Sequence, residues 1–264
     1  MINDIAKKLN EMGYKTEIIT VSKNGVEKQA ITIGEGLLRP TFYPDSSKSV
    51  EDWVKEILRA YKAHPGVNIN VGKITSWEYA KDNLELCLQR KTTEKILKRN
   101  YLDMEMYVRV RVAQNNDEVS TYIVNPGMFE NVSEDEIFAR AFLNMKKNVF
   151  VEKMENFLPD ILKNNFDGLP EMIILTNKNK IYGASSICDK ELLSKISKEY
   201  NSDLIILPSS IHECIIYIDY ISNAPNLDKY SEMVSDINKT EVAPEEVLSD
   251  HAYRFDKETH EITY

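Results

Sequence analysis

From Met104 to Val112 the chain alternates without a break. Met104, Met106, Val108, Val110 and Val112 fall on one side; Asp103, Glu105, Tyr107, Arg109 and Arg111 fall on the other. Successive side chains of an extended backbone point to opposite faces, so a period of two marks a β-strand. One apolar and one polar row together describe a strand with one face on a core and the other in water. Such a strand needs partners. Polar Gln114 to Glu118 followed by apolar-rich Val119 to Val124 supplies one through a hairpin loop.

A second alternating stretch, Thr16 to Gly34, is interrupted by Asn24-Gly25. Both central positions of a tight hairpin turn need positive φ, which this dipeptide tolerates best. Leu37 to Tyr43 reads as a third strand, confined by Pro40 to an edge or a bulge. Helical spacing appears in Asn3 to Met12 (Ile5, Leu9, Met12) and behind Ser49 (Val50, Trp53, Val54, Ile57, Leu58, Tyr61), ending at His64-Pro65-Gly66. Trp77 to Arg99 is read as a strand near Leu84–Leu88 followed by a helix carrying Lys95, Lys98 and Arg99. Ser133 and Glu136 form a capping box ahead of Ile137, Ala141, Phe142 and Met145, and a further helix is expected over Val151 to Lys163.

Element types then alternate. Strands are expected at Met172–Leu175, Leu204–Leu207 and Cys214–Ile221, with an Asp189-capped helix to Tyr200 and another over Leu227–Asn238. Ala252 to Thr263 closes as a short strand or hairpin. The pattern predicts an α+β fold with antiparallel or mixed sheets and packed helices. Two sublobes, 1–165 and 166–264, are expected, or one compact domain.

Composition bounds the function. The 264 residues are 42% hydrophobic and 28% charged, enough for a core and too apolar for wholesale disorder. The net charge of −9 argues against a generally basic nucleic-acid binder. That charge is uneven: residues 219–264 hold 4 basic and 11 acidic side chains, whereas Arg90 to Arg111 holds 7 basic and 3 acidic. Complementary surfaces, within one molecule or between two copies as a homodimer, are one consequence. Three scattered cysteines, Cys87, Cys188 and Cys214, suit a reducing compartment. No stretch approaches 18 consecutive apolar residues and the start has no cleavable signal, so a cytoplasmic protein is expected.

Chemistry-bearing residues cluster twice. Pro208-Ser209-Ser210-Ile211-His212-Glu213 offers a hydroxyl, an imidazole and a carboxylate. A hydrolase-like site would use Ser209 or Ser210 with His212, oriented by Glu213 or Asp250. The plainer account is a polar strand-to-strand turn. Asp250-His251, in Leu248 to Asp256, could be half of an acid–base pair if the two segments meet. The four histidines have no paired spacing and no cysteine pair joins them, so neither a metal nor another cofactor is expected. Gly183-Ala184 reads as a close backbone approach rather than a phosphate loop. Tyr107, Arg109 and Arg111 form the remaining candidate surface, for phosphate and a stacked base; Asp103 and Glu105 on the same face would instead pair across strands.

These blocks carry a resemblance. Leu102 to Val112, Tyr122 to Asn125, Ser133 to Asn144, Tyr182-Gly183-Ala184, Leu207 to Glu213 and Leu248 to Asp256 together resemble a bacterial family known only as a domain of unknown function. Pro-Ser-Ser-Ile-His-Glu and Leu-Ser-Asp-His-x-Tyr-Arg are the more specific of them. The resemblance implies an intracellular bacterial protein and brings no activity, so no catalytic residue is carried over. The expectation that follows is a non-catalytic module binding a protein partner or a small molecule.

Overall fold

The computed structural model describes residues 1–35, 39–63, 71–115, 118–157, 171–218 and 226–264. It has an α+β fold that separates into two compact units, Met1–Lys73 and Ile74–Tyr264.

The first unit sets two helices, α1 (Ile2–Glu11) and α2 (Val50–Ala63), with a three-stranded antiparallel sheet. Its strands are β1 (Thr16–Lys23), β2 (Val26–Ile33) and β3 (Thr41–Phe42), in that spatial order. Asn24 (φ 52°) and Gly25 (φ 76°) make the left-handed turn their sequence requires. β3, just after Pro40, takes the edge. The Ser49 hydroxyl accepts the Asp52 amide and donates to its carboxylate, fixing the start of α2. Ile5, Leu9, Ile31, Ile33 and Ile57 are wholly buried between helices and sheet. Each such side chain contributes about 1.5–3 kcal/mol by leaving water.

The second unit begins after a single turn, α3 (Val71–Ile74), and α4 (Trp77–Asn83). A four-stranded antiparallel sheet follows: β4 (Leu84–Arg90), β5 (Lys98–Tyr101), β6 (Met104–Asn115) and β7 (Glu118–Ile123). β6 is its centre. β4 runs along one edge, and β5 and then β7 occupy successive stretches of the other. Beyond α5 (Glu134–Asn148), capped by Ser133 accepting the Glu136 amide at 3.2 Å, comes β8 (Val149–Lys153).

β8 edges a six-stranded antiparallel sheet in the order β13-β12-β10-β11-β9-β8. The others are β9 (Met172–Asn177), β10 (Leu204–Leu207), β11 (Cys214–Ile218), β12 (Tyr253–Phe255) and β13 (Ile262–Thr263). α6 (Lys190–Tyr200), capped by Asp189, and α7 (Leu227–Thr240) complete the unit. One sheet face, through Leu175, Leu204, Ile206, Ile216, Tyr253 and Phe255, forms the main core with Leu193 of α6 and with Leu88 and Met104 of the smaller sheet. On the opposite face, α7 covers Ile205, Leu207 and Ala252 through Val234. No helix among the described residues is long and apolar enough to cross a membrane.

Three sequence expectations are corrected. Lys98–Tyr101 is a strand, not part of a helix: it pairs with Met104–Tyr107 across the two-residue turn Leu102-Asp103. Val149–Lys153 is also a strand, drawn into the sheet by β9, and residues 158–163 of the expected helix lie outside the described residues. β6 has no solvated polar row, because Glu105, Tyr107 and Arg109 are all buried. The expected boundary at 165/166 lies outside the described residues.

Candidate functional site

The β10–β11 hairpin carries the first cluster. Its turn is closed by the Ser210 amide donating to the Glu213 carbonyl at 3.2 Å. The Ser210 hydroxyl donates to Glu213 Oε1 at 2.9 Å and accepts the His212 amide at 3.0 Å. That hydroxyl is committed as a turn fastener. The imidazole of His212 is committed as well: its Nδ1 accepts the Tyr182 amide at 3.1 Å. An amide can only donate, so Nδ1 holds the lone pair and the proton of the neutral ring sits on Nε2. Nε2 lies 3.5 Å from Glu246 Oε1. Neither ring nitrogen is left to take a serine proton, and Glu213 orients Ser210 rather than His212.

The His212 carbonyl is a second anchor. It accepts the Gly183 amide at 2.8 Å and the Thr176 hydroxyl at 2.7 Å. The chain passes so close here that a Cβ on Gly183 would lie 2.2 Å from Thr176 Oγ1 and 2.4 Å from the Asn177 nitrogen. The close approach expected from sequence is therefore present.

Tyr182 joins this turn to the basic strand. It is held at φ 56°, an uncommon conformation for a bulky residue. Its ring lies 5.3 Å from His212 on one side and 3.7 Å from the Arg109 guanidinium on another. Arg109 is only 4% exposed and meets Glu85 at 2.8 Å, and Arg111 pairs with the same carboxylate. Tyr107 and Arg109 are thus buried within the fold, whereas Arg111 is part-exposed. Burial pushes the Tyr107 hydroxyl well above its ordinary range.

Asp250 and His251 belong to a different cluster. Asp250 is exposed and accepts the Asn238 amide group at 2.9 Å. His251 Nδ1 lies 2.9 Å from Asp103 Oδ2, which also receives the Ser249 hydroxyl at 2.7 Å; the Tyr253 hydroxyl takes Oδ1 at 2.5 Å. Burial raises the Asp103 carboxyl, but the Tyr253, Ser249 and His251 donors outweigh it and hold the group below the usual carboxylate range. Asp103 sits in the β5–β6 turn, so the cluster ties the smaller sheet to the lead-in of β12. Just before the Leu248–Asp256 segment, Ile211 donates to the Glu246 carbonyl and His212 faces the Glu246 carboxylate. Among the described residues, no bond joins His212 or Glu213 to Asp250 or His251, and no three His, Cys, Asp or Glu side chains gather as metal ligands.

Beside the hairpin, on the sheet face away from the main core, lies an open depression of ≈ 250 Å³. Phe150, Met154, Ile174 and Ile215 make its apolar walls, and Thr176, Lys180, Ser209 and Glu213 supply polar groups. Ser209 makes no hydrogen bond to any described residue. A family model described as a family of unknown function, DUF5688, matches residues 1–257. The chain belongs to this family. No curated protein and no solved structure matches it. The match extends the resemblance seen in the sequence back to the first residue, so both compact units are part of the family's chain.

Sequence reasoning missed Asp103, Tyr182, Glu246 and Lys180 as site residues. Asp103 was hidden because a two-residue turn without Gly or Asn gives no hairpin signal; Leu102 takes the left-handed position at φ 55°. Tyr182 and Lys180, both at φ 56°, carry no compositional mark of their conformation.

Proposed function

We propose that this DUF5688 protein is a non-catalytic binding module for a small amphipathic molecule seated in the depression beside Ser209. The observation that carries the reading is the pairing of an apolar wall, Phe150, Met154, Ile174 and Ile215, with the unengaged Ser209 hydroxyl and the Lys180 ammonium. An acyl or aromatic body would displace water from the wall, and a carboxylate would meet the ammonium and the hydroxyl. The hydrogen bonding supports binding over hydrolysis. Ser210 and Ser249 both donate to carboxylates, and His212 Nδ1 is spent on an amide. A hydrolytic serine needs a base within reach of its proton.

Calorimetric titration with octanoate as the probe tests this. Octanoate is expected to bind saturably, with affinity falling about tenfold in Lys180→Gln and lost in Ser209→Phe, whose ring fills the depression. Ser210→Ala and His212→Ala are expected to leave any ester-hydrolysis background unchanged. Equal octanoate affinity in Ser209→Phe, or a serine-dependent esterase rate, overturns the proposal.

A further inference from the structure

We propose that a second depression, between the later turns of α6 and the β12–β13 turn, binds a small molecule carrying a di- or triphosphate. It is an open depression of ≈ 340 Å³, within the range of small-molecule sites. Three ammonium groups, Lys195, Lys198 and Lys257, and the imidazole of His260 line it, against one carboxylate, Glu258. This concentration of positive charge occurs in a chain of net charge −9.

The lysines of this region differ in their pairing. Lys190 is paired with Glu261, and Lys146 with Glu191 and Asp189. Lys195 and Lys198, both exposed, make no ion pair among the described residues. Lys257 is anchored by donating to the Asn201 carbonyl at 3.3 Å.

His260 is positioned by its own turn. Asp256 Oδ1 accepts the Glu258 and Thr259 amides, the Asp256 carbonyl accepts the His260 amide at 2.9 Å, and His260 is held at φ 58°. Its ring stacks on Phe255 with centroids 6.0 Å apart. The Ser194 hydroxyl gives its proton to the Lys190 carbonyl, so its oxygen accepts from His260 Nδ1 at 3.3 Å; Nε2 is then the acceptor of the neutral ring and donates to an anion only in the imidazolium.

One effect opposes an anion: the site lies by the carbonyl end of α6, equivalent to about half a negative charge. That end is tied off, with Asn201 donating to Lys198 and Ser202 to Ser197. Three full positive charges outweigh the remainder. The site is a local depression with no Phe, Tyr or Trp among its lining residues, which fits a small polyphosphate better than a tracked nucleic-acid strand.

Calorimetric titration of the full chain with inorganic pyrophosphate at low salt is the test. Saturable binding is expected, weaker for orthophosphate, and weakened about tenfold or more by Lys195→Ala/Lys198→Ala and by raised salt. Lys257→Gln is expected to weaken it too, whereas Lys180→Gln and Lys239→Ala leave it unchanged. ADP as a second probe separates sources: tighter binding than pyrophosphate assigns a nucleotide, and equal binding assigns the phosphates alone. No saturable binding of pyrophosphate at low salt, or unchanged affinity in the folded double variant, overturns the proposal. Loss of octanoate binding alone leaves it standing, since the two depressions share no residue.

Discussion

Replacing Gly183 by alanine asks whether the turn beneath Tyr182 is as tight as described. The backbone of Gly183 does not require positive φ, so the effect is steric rather than conformational. The added methyl would sit 2.2 Å from the Thr176 hydroxyl, 2.4 Å from the Asn177 nitrogen and 2.8 Å from the His212 carbonyl. Two of these neighbours are backbone and cannot swing away. Overpacking of this kind costs about 1–3 kcal/mol. Separating the segments also weakens the Gly183 and Thr176 hydrogen bonds to His212, about 1 kcal/mol each. The expected loss is therefore about 3–5 kcal/mol, a large share of a typical stability of about 5–15 kcal/mol. Gly127→Ala is the matched control: φ is +74° with nothing within 4 Å, so only the left-handed backbone penalty of about 1–2 kcal/mol applies. Equilibrium urea unfolding of both variants reads the difference. A Gly183→Ala loss no larger than that of Gly127→Ala would refute the reasoning.

Other perturbations follow from the same contacts. Asp103 is held below its unfolded value, so its contribution is present at neutral pH and lost as pH falls through the folded value, below about pH 4. Asp103→Asn should flatten that acid limb in a stability-against-pH series and lower neutral stability by about 1 kcal/mol, given its partial exposure. Arg109→Ala should destabilise by about 3 kcal/mol in thermal melts, because it removes one of the two guanidinium partners of Glu85 and uncovers Tyr182; a loss below 1 kcal/mol contradicts the buried pairing. Burial pushes the Cys87 thiol up to about 11 and Cys188 to about 12, and raises Cys214 as well. Iodoacetamide at pH 8 should then leave the native protein unlabelled and modify all three cysteines in guanidinium, as read by intact mass.

Local signals were legible where a short motif dictates backbone geometry. Asn24-Gly25, Ser133 and Asp189 each form the turn or cap their residue types predict, and Leu204–Leu207 is a strand to the residue. The failures share a cause: tertiary pairing overrode a local pattern. Lys98–Tyr101 has helix-compatible residues yet is claimed by β6, and Val149–Lys153 is claimed by β9. The polar row of β6 looked solvated because charges usually are. Glu85 from the next strand and the Tyr182 ring, far along the chain, pair and cover it. At the candidate site the hairpin serine and histidine were visible, but their partners were not. Tyr182 and Glu246 reach His212 only through the fold, from segments far from it in sequence.

The central claim is that a ligand sits beside Ser209 rather than reacting there. Intermolecular NOEs between octanoate methylenes and the methyl groups of the folded protein test it most directly. The account predicts cross-peaks to Ile174, Ile215 and Met154, absent in Ser209→Phe. Cross-peaks only to other methyls, or none under saturating octanoate, would contradict it.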